Sequence, residues 1–233
     1  MKREAPPGRI RDWIVGQERV FEYLDQAIAA GRLGHALLLL GPAGCGRTRL
    51  ALALAQQLHC PEPSAPCGAC ASCRMTAHLN HPDLHLVVPA LREEGPETER
   101  GIKKLAAYAG DRLGLLGIAR STTIGIDRVR ELRAEVAKAR VVSERRVVVI
   151  SGADRMTEPA AQSALKLVEE PPPATTLLLT AEDTSRILPT LVSRVQIETS
   201  LGKSLNFTDR SFQVGLLLAA VALALSIASS WRS

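Results

Sequence analysis

Aromatic side chains are scarce: two Trp, two Tyr and three Phe, 3% of 233 residues. A core made without them must be built from Ala, Leu and Val. The same scarcity disfavours a single-strand nucleic-acid binder that stacks bases on aromatic platforms. The chain opens Met-Lys-Arg-Glu-Ala-Pro-Pro, which lacks an apolar core, so no signal peptide is expected. A reducing, cytoplasmic setting is the matching expectation. Strong charge of one sign is also missing. The 29 Lys and Arg against 24 Asp and Glu leave a net charge of +5, which permits nucleic-acid contact without demonstrating it. Residues 127–146 are densely charged with both signs and read as a solvated helix face with intrahelical pairs.

What is present is a globular balance, with 46% hydrophobic and 23% charged residues. The length suits one domain, or one domain with a small appendage. Val20, Leu24, Ala27 and Ile28 recur at helical spacing, and Gly31 suits the end of that helix. Ala36–Leu40 is a short apolar run without alternation, as expected of a strand buried on both faces. Further strands are expected at 84–88, 147–150, 177–180 and 195–198, and helices at 49–59, 126–139 and 159–170. The last of these must stop at Pro171-Pro-Pro173. Residues 90–125 are charged, Gly-rich and weakly patterned, and are expected to include exposed loop. Strands alternating with helices imply an α/β fold, an open parallel sheet with helices on both faces.

Gly41-Pro-Ala-Gly44-Cys-Gly46-Arg47-Thr48 has the spacing of a phosphate loop, between a strand and a helix. Glycines let backbone N–H groups converge on phosphate oxygens, and the helix N-terminus adds a favourable dipole. Arg47 stands where lysine normally reaches the β- and γ-phosphates, and its planar fork differs in reach. The alternative is a tight turn that takes no nucleotide. Hydrolysis also needs carboxylates at the end of a later strand. Here Ser151 and Gly152 follow Val147–Ile150, and Asp154 lies further along. Negligible ATPase activity is expected of the chain, and ATP binding at the altered loop is left open.

Cys60, Cys67, Cys70 and Cys73 crowd into fourteen residues, counted from 60 to 73 inclusive. Four thiolates at close range fit a closed, structural tetrahedral Zn²⁺ site, with reduced free thiols as the alternative. The intervening Pro, Gly, Ala and Ser residues cannot build a core, so metal would have to order the segment. Cys45 reads as a filler of the glycine loop.

Together these pieces resemble the bacterial DNA polymerase III clamp-loader subunits of the delta-prime type, relatives of tau/gamma. The resemblance rests on Val15-Gly-Gln-Glu18, Gly31-Arg-Leu-Gly-His-Ala36, the glycine loop, the cysteines and His81-Pro-Asp83. It rests also on Ile126-Asp-Arg-Val-Arg130, Ala164-Leu-Lys-Leu-Val-Glu-Glu-Pro-Pro172 and Ser193-Arg194, and covers about residues 10–198. It implies an AAA+ domain with a five-stranded parallel sheet, here 1–198 with the zinc module at 60–73. It implies partners: the delta and tau/gamma subunits and, through the complex, the sliding clamp and primed DNA. It also implies that Arg194 is an arginine finger offered to a neighbour's ATP, although Val195 replaces the usual Cys of that motif; the alternative is that Arg194 pairs with a local carboxylate. The degraded loop fits delta-prime better than an active tau/gamma ATPase. Glu169 and Glu170, which could pass for an acid/base pair, read as structural.

The resemblance stops near Glu198, where a lid and collar would follow. A polar linker at 199–211 leads instead to a hydrophobic tail helix at 212–233. Its uncharged run, Val214–Ala228, falls short of the roughly 20 residues that span a bilayer. The tail can be read as a membrane span, a packed helix or the product of a disrupted reading frame, the last being preferred. A membrane-tethered nucleotide-binding protein is the remaining functional alternative.

Overall fold

A computed structural model describes residues 8–14, 16–89 and 123–199 of the chain. The expectations for 90–122, for the tail at 212–233 and for all but the first residue of the linker fall outside the described residues.

Five parallel strands form one sheet: β1 Ala36–Leu40, β2 Leu84–Val87, β3 Arg146–Ser151, β4 Thr175–Ala181 and β5 Gln196–Thr199. Their spatial order is β2-β3-β4-β1-β5, so β1 lies between β4 and β5. Helices α1 Glu18–Ala29, α2 Arg47–His59, α3 Ala71–Ala77, α4 Ile126–Val136, α5 Glu158–Glu169 and α6 Pro189–Val192 connect and flank the strands.

The sheet is covered on both faces, which is why its strands lack alternation. Along β1, Ala36, Leu38 and Leu40 pack in a core with Val129 and Leu132 of α4 and Ala160 and Ala164 of α5. Leu37 and Leu39 face the other way, into a core with Leu24 of α1 and Leu50 and Leu54 of α2. Each buried Leu contributes about 2 kcal/mol relative to exposure. Truncating Leu38, 1% exposed, to Ala costs about 2–5 kcal/mol once the cavity is included.

The element types read from the sequence hold, with no end moved by more than three residues. Two differences have physical causes. A helix, α3, runs through the last cysteine and beyond it, because the Cys70 side chain caps it by accepting from Cys73 N–H. Pro and Gly composition had suggested loop throughout. Arg146, placed with the solvated face, is 3% exposed and donates to the carbonyls of Val136 and, at 2.6 Å, Lys138. It closes the C-terminal end of α4. The rest of that stretch behaves as expected, with Arg128–Glu131 and Arg130–Asp127 pairs on α4.

Candidate functional site

Helix α2 joins two sites. The glycine loop enters its N-terminus and the cysteine segment leaves its C-terminus. Gly46 caps the helix with φ 93°, a left-handed turn that glycine adopts without penalty. The loop therefore has the strand-to-helix geometry that its spacing implied.

Its side chains are turned inward. The Arg47 guanidinium donates to the carbonyl of Gly41, at the end of β1, and at 2.7 Å to that of Ala181, at the end of β4. Glu182 lies 4.0 Å from it and also 3.8 Å from Arg155. Arg47 is thus a tie between two strand ends. The Thr48 hydroxyl is 2.8 Å from the Ser151 hydroxyl. The Ser151 side chain, at the end of β3, thus faces the loop. Gly152 follows with φ 78°, and a Cβ there would stand 3.1 Å from Pro89 Cγ. An acidic residue at 152 needs a different backbone. Asp154 sits beyond it, in a short 3-10 turn at Ala153–Arg155.

At the other end of α2, the Sγ atoms of Cys60, Cys67, Cys70 and Cys73 lie within 4.8 Å of one another. Cys60–Cys70 and Cys67–Cys73 are 4.0 and 3.9 Å apart. A tetrahedron with metal–sulfur bonds of about 2.3 Å has edges of about 3.8 Å, so the four sulfurs can hold one metal ion. Backbone N–H groups of Cys67, Cys70 and Cys73 donate to the sulfurs of Cys60, Cys67 and Cys70 at 3.5, 3.3 and 3.4 Å. Such donors stabilise thiolates and orient ligands. The N–H groups of Cys70 and then Ala69 lower the Cys67 thiol to about 7. Burial raises Cys70 and Cys73. A cation in their midst would offset that burial.

Arg194 lies at neither end of α2. It precedes β5, whose Gln196 is level with Leu37 near the start of β1. At about 3.3 Å per residue, the glycine loop is about 20 Å away along the sheet. Arg194 is 61% exposed, and Glu169 at the end of α5 lies 3.5 Å from it. The pair is the kind of local carboxylate contact that is the alternative to a finger role for Arg194.

Two buried polar residues carry more than their motifs suggested. Gln17 donates at 3.4 Å to the Cys45 carbonyl in the glycine loop. Asp83, 1% exposed, accepts from the N–H groups of Val141, Val142 and Ser143, each at 2.8 Å. Burial raises its carboxyl, but the three amides outweigh burial and hold it below the ordinary carboxylate value. His81 accepts from Asp83 N–H at 3.1 Å, and its other nitrogen meets Ser143 Oγ at 3.0 Å. His-Pro-Asp is a legible signal, whereas its reach to 141–143 is not. His59 stacks on His81 at 4.0 Å, and burial, with His81 second, lowers it to about 3.

A five-stranded parallel sheet, with a glycine loop after β1, the strand between β4 and β5, and helices on both faces, is an open α/β module. The family described as DNA polymerase III, delta subunit, matches residues 16–200. The chain belongs to that family. Subunit delta' of DNA polymerase III from Bacillus subtilis (strain 168) is 35% identical over 181 residues, covering 77% of this chain and 46% of that protein. Subunit gamma/tau from Mycobacterium tuberculosis (strain ATCC 25618 / H37Rv) is 33% identical over 183 residues, covering 78% of this chain and 27% of that protein. Among solved structures, a DNA polymerase III gamma subunit-related protein from Thermotoga maritima aligns at TM-score 0.48 and 20% identity. The alignment covers 76% of this chain and 45% of that one. The chain spans less than half the length of these relatives.

Proposed function

We propose that this chain is a delta-prime-like subunit of the DNA polymerase III clamp loader. In this role it does not hydrolyse ATP and offers Arg194 to the ATP of a neighbouring subunit. The carrying observation is the separation of Arg194 from its own glycine loop. An exposed guanidinium at the opposite end of the sheet cannot serve the loop of its own chain, and a weak surface pair with Glu169 leaves it free to turn outward. In trans, a guanidinium neutralises charge developing on the transferred phosphoryl group.

The inward-turned loop supports the same reading. Arg47 is tied to carbonyls, Thr48 meets Ser151, and no carboxylate follows β3 in the required place. An active tau/gamma-type motor needs those groups free and acidic. The partners on this reading are the delta and tau/gamma subunits and, through them, the sliding clamp and primed DNA, in the cytoplasm. Cys60, Cys67, Cys70 and Cys73 hold a structural Zn²⁺. That ion supplies a cross-link in place of a core and takes no part in chemistry. Residues 1–198 form the AAA+ domain, with 199–211 a linker and 212–233 a separate hydrophobic tail. Among the described residues no helix is long and apolar enough to cross a membrane.

The test is Arg194→Ala in a loader reconstituted from the chain, delta, tau/gamma and clamp. Hydrolysis at the site that Arg194 completes is expected to fall by about 10³-fold. Undiminished DNA-stimulated turnover removes the assigned role.

A further inference from the structure

We propose that the four-cysteine cluster, once it holds its metal, fixes the N-terminal strap of residues 8–14 through the side chain of Gln56. The inference rests on the metal reading above and goes beyond it, from a local cross-link to control of a distant segment.

Gln56 is fully buried and lies one helical turn before Cys60. Its Oε1 accepts from Ile10 N–H at 2.9 Å. Its Nε2 donates to the Gly8 carbonyl at 2.7 Å and to the Cys73 carbonyl at 2.9 Å. One amide therefore joins the strap, α2 and a metal ligand, with every polar group satisfied. A second contact runs in parallel. Gly8 and Gly68 meet backbone to backbone: a Cβ on Gly8 would stand 2.9 Å from the Gly68 carbonyl oxygen, and one on Gly68 would stand 2.8 Å from Gly8 C. Gly68 lies between the ligands Cys67 and Cys70.

Of the strap's two partners, Gly68 lies within the ligand segment, and Gln56, set by α2, meets the cluster through the Cys73 carbonyl. None of residues 60–70 belongs to either hydrophobic core, so metal ligation is what holds that segment in place. The strap has other anchors further on. Ile10 is buried among α1 and α2, and Arg11 pairs with Asp25 at 3.1 Å and lies 4.7 Å over the Phe21 ring. Release is therefore graded, greatest at Gly8–Ile10. The strap leads on in sequence to Gln17, whose side chain donates to the Cys45 carbonyl in the glycine loop.

The experiment is hydrogen exchange, with metal content measured on the same samples. Four are compared: protein supplied with zinc, the same protein stripped by a chelator, and zinc-supplied Gln56→Ala and Gln56→Met. Gln56→Met keeps the side-chain volume, so it isolates the amide from any cavity. Stripping is expected to raise exchange across 8–14 by about tenfold or more. Both variants are expected to do the same while keeping one zinc per chain, with Val147–Val149 still protected. Zinc bound and stripped with exchange at 8–14 unchanged overturns this inference alone. So does full protection of the strap in Gln56→Met. A protein that takes up no zinc overturns the metal reading and this inference together.

Discussion

The two ends of helix α2 make opposite use of the same kind of backbone. At its C-terminus three N–H groups point at sulfur, and four side chains converge within 4.8 Å of one another. At its N-terminus the side chains that would meet a nucleotide already have partners within the protein. Arg47 ties β1 to β4, and Thr48 meets Ser151. A site left incomplete by its own chain asks for a ligand, whereas a site that closes on itself is part of the fold.

The contrast can be sharpened by disturbing each end in turn. Metal removal is expected to have the largest effect. A chelator, or Cys73→Ser, should lower the melting temperature by about 10 °C or more and expose residues 60–77 to protease, followed by calorimetry and limited proteolysis. If the cluster melts no earlier when stripped, the cysteines are not a metal site. At the other end, Arg47→Ala should cost about 1–3 kcal/mol in a denaturant titration, because two strand-end carbonyls lose a charged donor. A phosphate-binding Arg47 would leave stability untouched.

Asp83 sits outside both ends and provides a pH reference. Its carboxyl is held below 3.8 in the fold, so its contribution is complete above the ordinary carboxylate range. That contribution is lost as pH falls through the lowered value. Asp83→Asn should cost about 1–2 kcal/mol at neutral pH and remove part of the acid-induced loss seen below about pH 4. Equal acid sensitivity in the variant would show that the three amides do not depend on the charge. The smallest effect is expected at Glu169→Gln. The pair with Arg194 is exposed, so stability should change by less than about 0.5 kcal/mol. A larger loss would mean that Arg194 is a structural residue rather than a free one.

Legibility in the sequence followed the same division. Strands buried on both faces announced themselves as unbroken apolar runs, and β1 matched its expected bounds at Ala36–Leu40. Four cysteines at short spacing fixed which sulfurs could meet, because so few residues separate them. The place of Ser151 at the end of β3 was legible too, since it closes a readable apolar strand. The direction of Arg47 was not, because a rotamer depends on Ala181, which lies far along the chain. The inward turn of Arg146, the hold of Asp83 on Val141–Ser143 and the bridge made by Gln56 share that cause. Each is a polar contact between segments whose separation carries no periodic signal. Helix α3 was hidden for a local reason: its cap is a cysteine sulfur, which composition does not advertise.

Magnesium-dependent ATP turnover by the purified chain tests the central claim most directly. The account predicts a rate indistinguishable from buffer, unchanged by Thr48→Ala. Turnover of about one per second that Thr48→Ala abolishes would show a working nucleotide site and contradict it.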